Sequence, residues 1–285
     1  MKIILSRKGF DSANGYYPSP IIDGRPLSLP IPDQQDKIRY SNLTLNNKSY
    51  LQIMTELGMK NYNSQSTCHF DPDLVFNALP HRVSSHNWRG TLGQIKQAQK
   101  HLENQGVGIG DLFLFFGWFK EAEYINNKLS YKKNSKYPNG FHLIYGYLEI
   151  GEIIKTATQD ATSILKSYPW LENHSHFSRE DVRKLDSNTI YIGAEKFALR
   201  QNQAGFGILP FSEKLILTKA GESRSRWDLD KLKRLQGLPI TYHKPESWQK
   251  NYFKSASIGQ EFVIEEDKQA EKLAKELIKD WFDLK

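Results

Sequence analysis

Residues 110–119 read GDLFLFFGWF, and residues 141–154 answer with FHLIYGYLEIGEII. From Leu112 to Phe119 the chain is apolar and aromatic apart from Gly117. The run is far too short for a membrane span, and Gly110-Asp111 bounds it as a turn. A run of this length with this composition reads as a strand buried on both faces. The second stretch, His142–Ile154, reads the same way, with Gly146 and Gly151 marking places where another backbone or a ligand approaches closely. Between them, Asn126–Gly140 is rich in Asn, Lys, Ser and Tyr and carries Pro138, so it reads as a loop. The two strands are therefore expected to pair antiparallel across it.

Working outward, Lys2–Ser6 reads as a strand and Asp23-Gly24 between apolar runs as a hairpin turn. Ser49–Leu57 is a short helix closed by Gly58. Gly93–Asn104 reads as a helix, because Ile95, Ala98 and Leu102 recur at helical spacing with Gly106 just beyond. Thr158–Tyr168 is a helix stopped by Pro169. Thr189–Ile192, Leu215–Thr218 and Glu261–Ile264 are short strands, and Asp228–Leu235 is a helical turn or two capped by Asp228. Asp267–Leu284 is an amphipathic helix with Ala270, Leu273, Leu277 and Trp281 on one stripe. No repeat or linker interrupts the pattern. The expectation is one α+β unit over 1–285, built on an antiparallel, barrel-like sheet with flanking helices and a C-terminal amphipathic helix.

The chain has 285 residues, 39 basic against 32 acidic side chains, a formal charge of +7 and 12% aromatics. That aromatic content excludes a disordered chain. The basic balance suits a polyanionic partner. Lys128, Lys132, Lys133 and Lys136 form one cluster, and Arg224, Arg226, Lys231, Lys233 and Arg234 another, each interleaved with aromatics as nucleic-acid surfaces are; solvated surface is the plain alternative. No membrane span and no export signal are expected, and the single Cys68 excludes an internal disulfide and a multi-cysteine zinc site. A cytoplasmic protein is the expectation.

Five segments carry a family resemblance: SRKGFDSANGYYPSPIIDGRPLSLPIPD (6–33), HFDPDL (69–74), GQIKQAQKHLENQGVGIGDLFLFFGWF (93–119), SRSRW (223–227) and GQEFVIEED (259–267). Together they resemble the nucleotide modification associated domain 3 family. The resemblance implies a part in modifying or processing DNA bases. Within 91–155, a helix, GIGDLFLFFGWF, a polar loop and FHLIYGYLEIGEII also resemble the core of PUA-like barrels, among them the ASCH, EVE and YTH groups. Those hold bases of RNA or DNA between barrel strands.

Lys8, Asp11, Ser12, His69 and Asp71 are the candidate catalytic residues. Arg7 or Lys8 could hold a phosphate. Asp11 could act as a base and Ser12 as a nucleophile or donor; alternatively, Asp11 and Ser12 cap a turn. His69 with Asp71 or Asp73 has the residue types of a metal site, but only His174 and His176 offer further histidines nearby, and no metal is expected. Asp71 could equally open a helix as its N-cap. Cys68 adjoins His69, yet neighbours on a strand point to opposite faces, so that pair is set aside. Trp118 could stack on a base and Gln94 read a base edge. Arg224 and Arg226, at i and i+2 on an extended segment, would share a face and clamp a phosphate with Arg7. Glu261 reads as a surface partner for a lysine rather than an acid or base. The sequence specifies no cofactor.

Two functions from different classes follow. One is an enzyme acting on a flipped or free modified base. The other is a non-catalytic reader of modified bases in DNA or RNA. The expected partners are DNA or modified nucleotides, RNA as an alternative, and other proteins of a modification system. The enzyme reading is preferred, because the polar loop after the first strand carries more chemistry than a binder needs.

Overall fold

The computed structural model describes residues 1–84, 86–134 and 136–282, with side chains described to residue 278. In chain order the first strands are β1 (Ile3–Arg7), β2 (Ser19–Ile22), β3 (Arg25–Pro26), β4 (Thr44–Leu45), β5 (Lys48–Ser49), β6 (Thr91–Gln94) and β7 (Leu112–Ile125). They are followed by β8 (Lys128–Tyr131), β9 (Phe141–Lys155), β10 (Thr189–Gly193), β11 (Phe206–Ile208), β12 (Arg226–Trp227), β13 (Phe253–Lys254) and β14 (Glu261–Ile264). The helices are α1 (Tyr50–Glu56), α2 (Lys96–Asn104), α3 (Ala161–Ser167), α4 (Ser175–Ser178), α5 (Glu180–Arg183), α6 (Leu229–Leu232) and α7 (Lys268–Phe282).

The deciding pair forms as expected. β7 and β9 run antiparallel with Leu112 opposite Glu149 and Phe119 opposite Phe141, and the register shifts by one residue between Phe115 and Phe116. The bulge residue is Tyr145. Around this pair the main sheet has the order β14-β1-β7-β9-β10-β6, with β2, β3, β8 and β11 attached at its margins. β1 is parallel to β7 and antiparallel to β14. The sheet is thus mixed.

The expected barrel does not close. Its two edge strands turn their outer hydrogen-bonding groups to other segments. Asp73 pairs with Thr91 along β6, and Ile240 pairs with Ile264 along β14. With both edges covered, no ladder can zip β6 to β14. Among the described residues, a side-chain bond from Gln94 Nε2 to Glu261 Oε1 spans the gap.

Side chains on β1 and β7 alternate between two buried faces. Ile3, Leu5 and Leu114 meet Ala270 and Ala274 of α7 around a small apolar cavity. The opposite face carries Phe113 and Phe115, stacked on each other, with Tyr191 and Tyr145 against them. A second apolar cluster, including Phe10, Tyr40, Ile53 and Cys68, packs α1 and the 27–43 segment beside the sheet. Of the helix's expected stripe, Ala270 is buried and Leu273 and Leu277 pack on the core; the side chain of Trp281 and the whole of Leu284 lie outside the described residues.

Three segments depart from expectation. Thr91–Gln94 is a strand rather than the start of α2, since it pairs with Thr189–Ile192 before the chain turns at Ile95. The stretch after β7 is not all loop: Asn126 and Asn127, both with positive φ, turn the chain back into β8. Asn tolerates that region, which makes Asn-Asn a hairpin turn. Leu215–Thr218 forms only isolated bridges, Leu143 with Ile216 and Thr218 with Trp227. The Asp23-Gly24 hairpin and the short helix closed by Gly58 match the reading, and the helix opens on a capping box between Ser49 and Gln52. Gly146 and Gly151 mark close packing by protein: a Cβ would fall 3.0 Å from the Gly207 carbonyl oxygen and 2.6 Å from the Ala194 Cα, respectively. Among the described residues, no helix is long and apolar enough to cross a membrane.

Candidate active site

A cleft of about 470 Å³ opens where β1 ends, β6 ends and β14 begins. It falls in the roughly 300–1,000 Å³ range of small-molecule sites. Arg7, Lys8, Asp11, His69, Asp71, Gln94 and His176 all line it. Six candidates from the catalytic and binding sets thus meet His176 in one volume. Separate pieces of backbone bring them there. Lys8 follows β1, with its N–H donating to the Phe116 carbonyl, and its side chain points to the same face as Ser6. Ser6 pairs with Glu261, so Lys8 and Glu261 meet: Nζ lies 3.2 Å from Oε1, and both side chains are buried. Glu261 is therefore a lysine's partner, but an internal one. Its Oε2 has no hydrogen-bond partner among the described residues.

The segment Cys68–Asp71 supplies the opposite wall. Cys68 turns into the apolar cluster, and burial pushes its thiol well up, which removes it as a nucleophile. His69 and Asp71 turn to the cleft. No helix starts at Asp71. Its Oδ1 instead accepts from the Gly93 N–H at 2.7 Å and lies 3.4 Å from His174 Nε2. Burial alone would raise this carboxyl. The bond to His174 and the charges of His176, Lys8 and His174 hold it well below the usual carboxylate range. Asp73 is committed elsewhere, in a bidentate pair with Arg82 at 2.5 and 2.8 Å.

His69 and His176 face each other with their Nε2 atoms 3.0 Å apart. The other nitrogen of each ring is held. His176 Nδ1 lies 2.8 Å from Asn188 Oδ1. Both amide hydrogens of Asn188 are already given, to Thr156 Oγ1 at 2.7 Å and to the His176 carbonyl at 2.8 Å. The amide can therefore offer Nδ1 only an acceptor, and Nδ1 carries the proton. His69 Nδ1 faces Asp36 Oδ2 at 3.4 Å and Asp33 Oδ2 at 4.0 Å. Against burial, the bonds to His69 and Ser175 hold Asp36 low, so it is an ionised acceptor. Burial pushes His176 down to about 3, with Asp71 pulling the other way.

The remaining candidates are distributed around the rim. Arg7 donates to the Ala256 and Ser257 carbonyls and lies over the Phe116 and Phe262 rings. Burial lowers its pKa, and Asp11 opposes that. Asp11 Oδ1 accepts from the Ala13 and Asn14 N–H groups at 2.7 and 2.6 Å, which is a turn-capping role on the cleft margin. Gln94 is buried and spends a donor on Glu261. Ser12 accepts from Arg224, whose guanidinium carbon sits 3.7 Å from the Trp118 ring centroid. One face of that indole is thus covered by Arg224.

Arg226 is not beside Arg224. A turn with Arg226 N–H donating to the Ser223 carbonyl breaks the extended segment that the i, i+2 argument assumed. Arg226 pairs with Glu222 at 2.7 Å and covers the Tyr252 ring. The wider basic cluster is also partly neutralised, as Arg234 pairs with Glu276 at 2.6 Å. His176, Asp36, Asn188 and the interior place of Glu261 went unassigned in the sequence. The signal for the first was the His174-Ser175-His176 triplet, which carried no indication of what it faced.

The model of the nucleotide modification associated domain 3 matches residues 2–265. The chain belongs to that family. The match takes in both walls of the cleft and every candidate residue, and it ties this family member to nucleotide modification in general. Neither the curated proteins nor the solved structures contain a match.

Proposed function

We propose that this family member is an enzyme that modifies or processes a nucleobase, held flipped from DNA or as a free modified nucleotide in the Lys8–His69–Asp71 cleft. The observation that carries the reading is the convergence of Arg7 and Lys8 with His69, Asp71 and His176 on one volume of about 470 Å³. The Arg7 guanidinium at the rim suits a phosphate. The floor behind it holds ionised carboxylate and neutral imidazole, the groups that move protons or hold reacting atoms. A flipped base costs a few kcal/mol of unstacking. An enclosed cleft with buried polar groups offsets that by hydrogen bonds made only to the extruded base. Asp11 then serves by shaping the loop rather than as the base, because its Oδ1 is spent on backbone N–H groups.

The alternative is a reader of modified bases, with Trp118 and Arg224 as its contact strip. The test is to incubate the protein with plain and hypermodified phage DNAs and free modified nucleotides, digest the DNA to nucleosides and weigh them by mass spectrometry. A mass change confined to one substrate, lost in Asp71→Asn, is expected. Selective gel retardation with unchanged masses would replace the enzyme reading with the reader. Neither effect on any substrate would overturn both.

A further inference from the structure

We propose that His69, Asp71 and His176 form a binding site for one divalent first-row transition metal ion, with its remaining positions open to the cleft. This goes beyond the proposed function and does not rest on it. Asn188 accepts from the Nδ1 of His176, and the Asp36 carboxylate, 3.4 Å from the Nδ1 of His69, favours the proton on that nitrogen, so both Nε2 atoms present lone pairs, and these lie 3.0 Å apart. Two lone pairs this close cannot stay face to face without a positive species between them. A proton could bridge these two nitrogens, but it cannot serve a third donor. Asp71 is that third donor: one ligand atom from each of His69, Asp71 and His176 lies within 4.8 Å of the other two.

The spacing suits a metal. Two ligands each about 2.1 Å from an ion, at right angles, lie about 3.0 Å apart. Asp71 Oδ1 is taken by the Gly93 N–H, which leaves Oδ2 for the ion. Orienting partners are already in place. Ligating histidines normally donate their other nitrogen to a carboxylate or an amide oxygen; His176 does so to Asn188, and His69 turns its Nδ1 toward Asp36. Two imidazoles and a carboxylate select a first-row transition ion over calcium or magnesium, and three protein ligands leave coordination positions for a substrate or water. The neighbouring ammonium of Lys8 is offset by Glu261. A second acidic group, Asp33 with Asp36, shares His69, but Asp33 is held by Arg179 at 3.0 Å; it serves as the orienting side of the same histidine.

The test uses the full chain, stripped with a chelator and titrated with Co(II) alone, then with Zn(II) and Mn(II) in competition. One equivalent per chain is expected after desalting, with visible Co(II) absorption bands typical of nitrogen ligation. His69→Ala and Asp71→Asn should each weaken binding by more than about 100-fold, and Asp36→Asn by about 10–100-fold, the usual range for orienting partners. His81→Ala, at an exposed histidine, should bind as the parent does. His69 is part-exposed and Asp71→Asn is isosteric, so circular dichroism can show both variants folded. A folded parent that retains no ion overturns the proposal and leaves the two nitrogens sharing a proton. Parent-like binding by folded His69→Ala also overturns it. Neither result depends on whether DNA is altered, so the two proposals fail separately.

Discussion

The imidazole of His176 lies against the Cα of Gly93, so closely that a Cβ there would come within 2.1 Å of the ring. The same glycine gives its N–H to Asp71. One small residue on β6 therefore admits one cleft side chain and orients another. Its backbone lies in a regular strand, so the requirement is for space and not for an unusual φ. Gly93→Ala should push the ring away from His69, weaken Co(II) binding at least tenfold and cost about 1–3 kcal/mol in stability, the usual range for overpacking a tight site. Titration with Co(II) and urea denaturation check both numbers. Parent-like metal affinity would show that His176 can shift without consequence.

The Lys8–Glu261 pair is almost wholly buried, with side-chain exposures of 9% and 1%. Removing the cation alone leaves an interior carboxylate with only Gln94 beside it. Lys8→Met should therefore cost about 3–5 kcal/mol. Adding Glu261→Gln should recover most of that, because a neutral amide replaces the stranded charge. Chemical denaturation of the single and double variants gives the coupling. Equal stability of Lys8→Met and the parent would mean that water reaches Glu261.

His142 supplies a pH dependence away from the proposed metal ligands. Its Nδ1 accepts from the Trp227 indole N–H at 3.0 Å, and indole can only donate. Protonating Nδ1 would set two N–H groups against each other. Burial lowers the group to about 3, with the charges of Arg7 and Arg224 adding to the effect. Between that value and the unfolded value near 6.5, the unfolded chain binds more protons than the folded one, so stability rises with pH. Acidification through this window should thus destabilise the fold by up to about 1.4 kcal/mol per pH unit for this one proton. His142→Asn keeps an acceptor toward Trp227 and removes the titration. Its plot of unfolding free energy against pH should be shallower between about 6.5 and 3; an unchanged slope would assign the effect to other histidines.

Much of the sheet was legible because its central strands are buried on both faces. β1, β7 and β9 carry largely apolar runs, as does the edge strand β14, while Gly110-Asp111 marks the turn into β7 and Asp23-Gly24 the turn from β2 to β3. β6 was hidden because Gly93 and Gln94 precede a helical period that absorbs them. Closure was misjudged for a different reason: what covers a sheet edge is settled by distant segments, here Asp73 and Ile240, which have no strand signal of their own. For the cleft, local chemistry was readable in Arg7–Ser12 and His69–Asp71. His69 and His176 are 107 residues apart, and the short helix that carries His176 has no periodicity long enough to show which way it faces. The burial of Glu261 was equally hidden, since only the pairing of β1 with β14 makes Lys8 its neighbour.

The turn at Ser223–Arg226 separates two arginines that an extended chain would have paired. Arg224 is part-buried, stacked on Trp118 and joined to Ser12 at the end of the loop that carries Asp11. Burial lowers its pKa somewhat, Asp11 opposes this and Arg7 reinforces it, but a guanidinium remains charged throughout the working range. Arg226 is exposed and already paired with Glu222. If nucleic acid crosses this face, the two should differ. Arg224→Ala should weaken DNA retention several-fold and reduce the slope of log affinity against log salt by about 1, as loss of one phosphate contact does. Arg226→Ala should leave both affinity and slope as they are. Trp118→Ala should lower affinity as Arg224→Ala does, because removing the ring frees the guanidinium from its fixed place. Fluorescence anisotropy on a short duplex over a salt series reads all three. Equal losses from Arg224→Ala and Arg226→Ala would restore the two-pronged clamp and show that the turn opens when DNA binds.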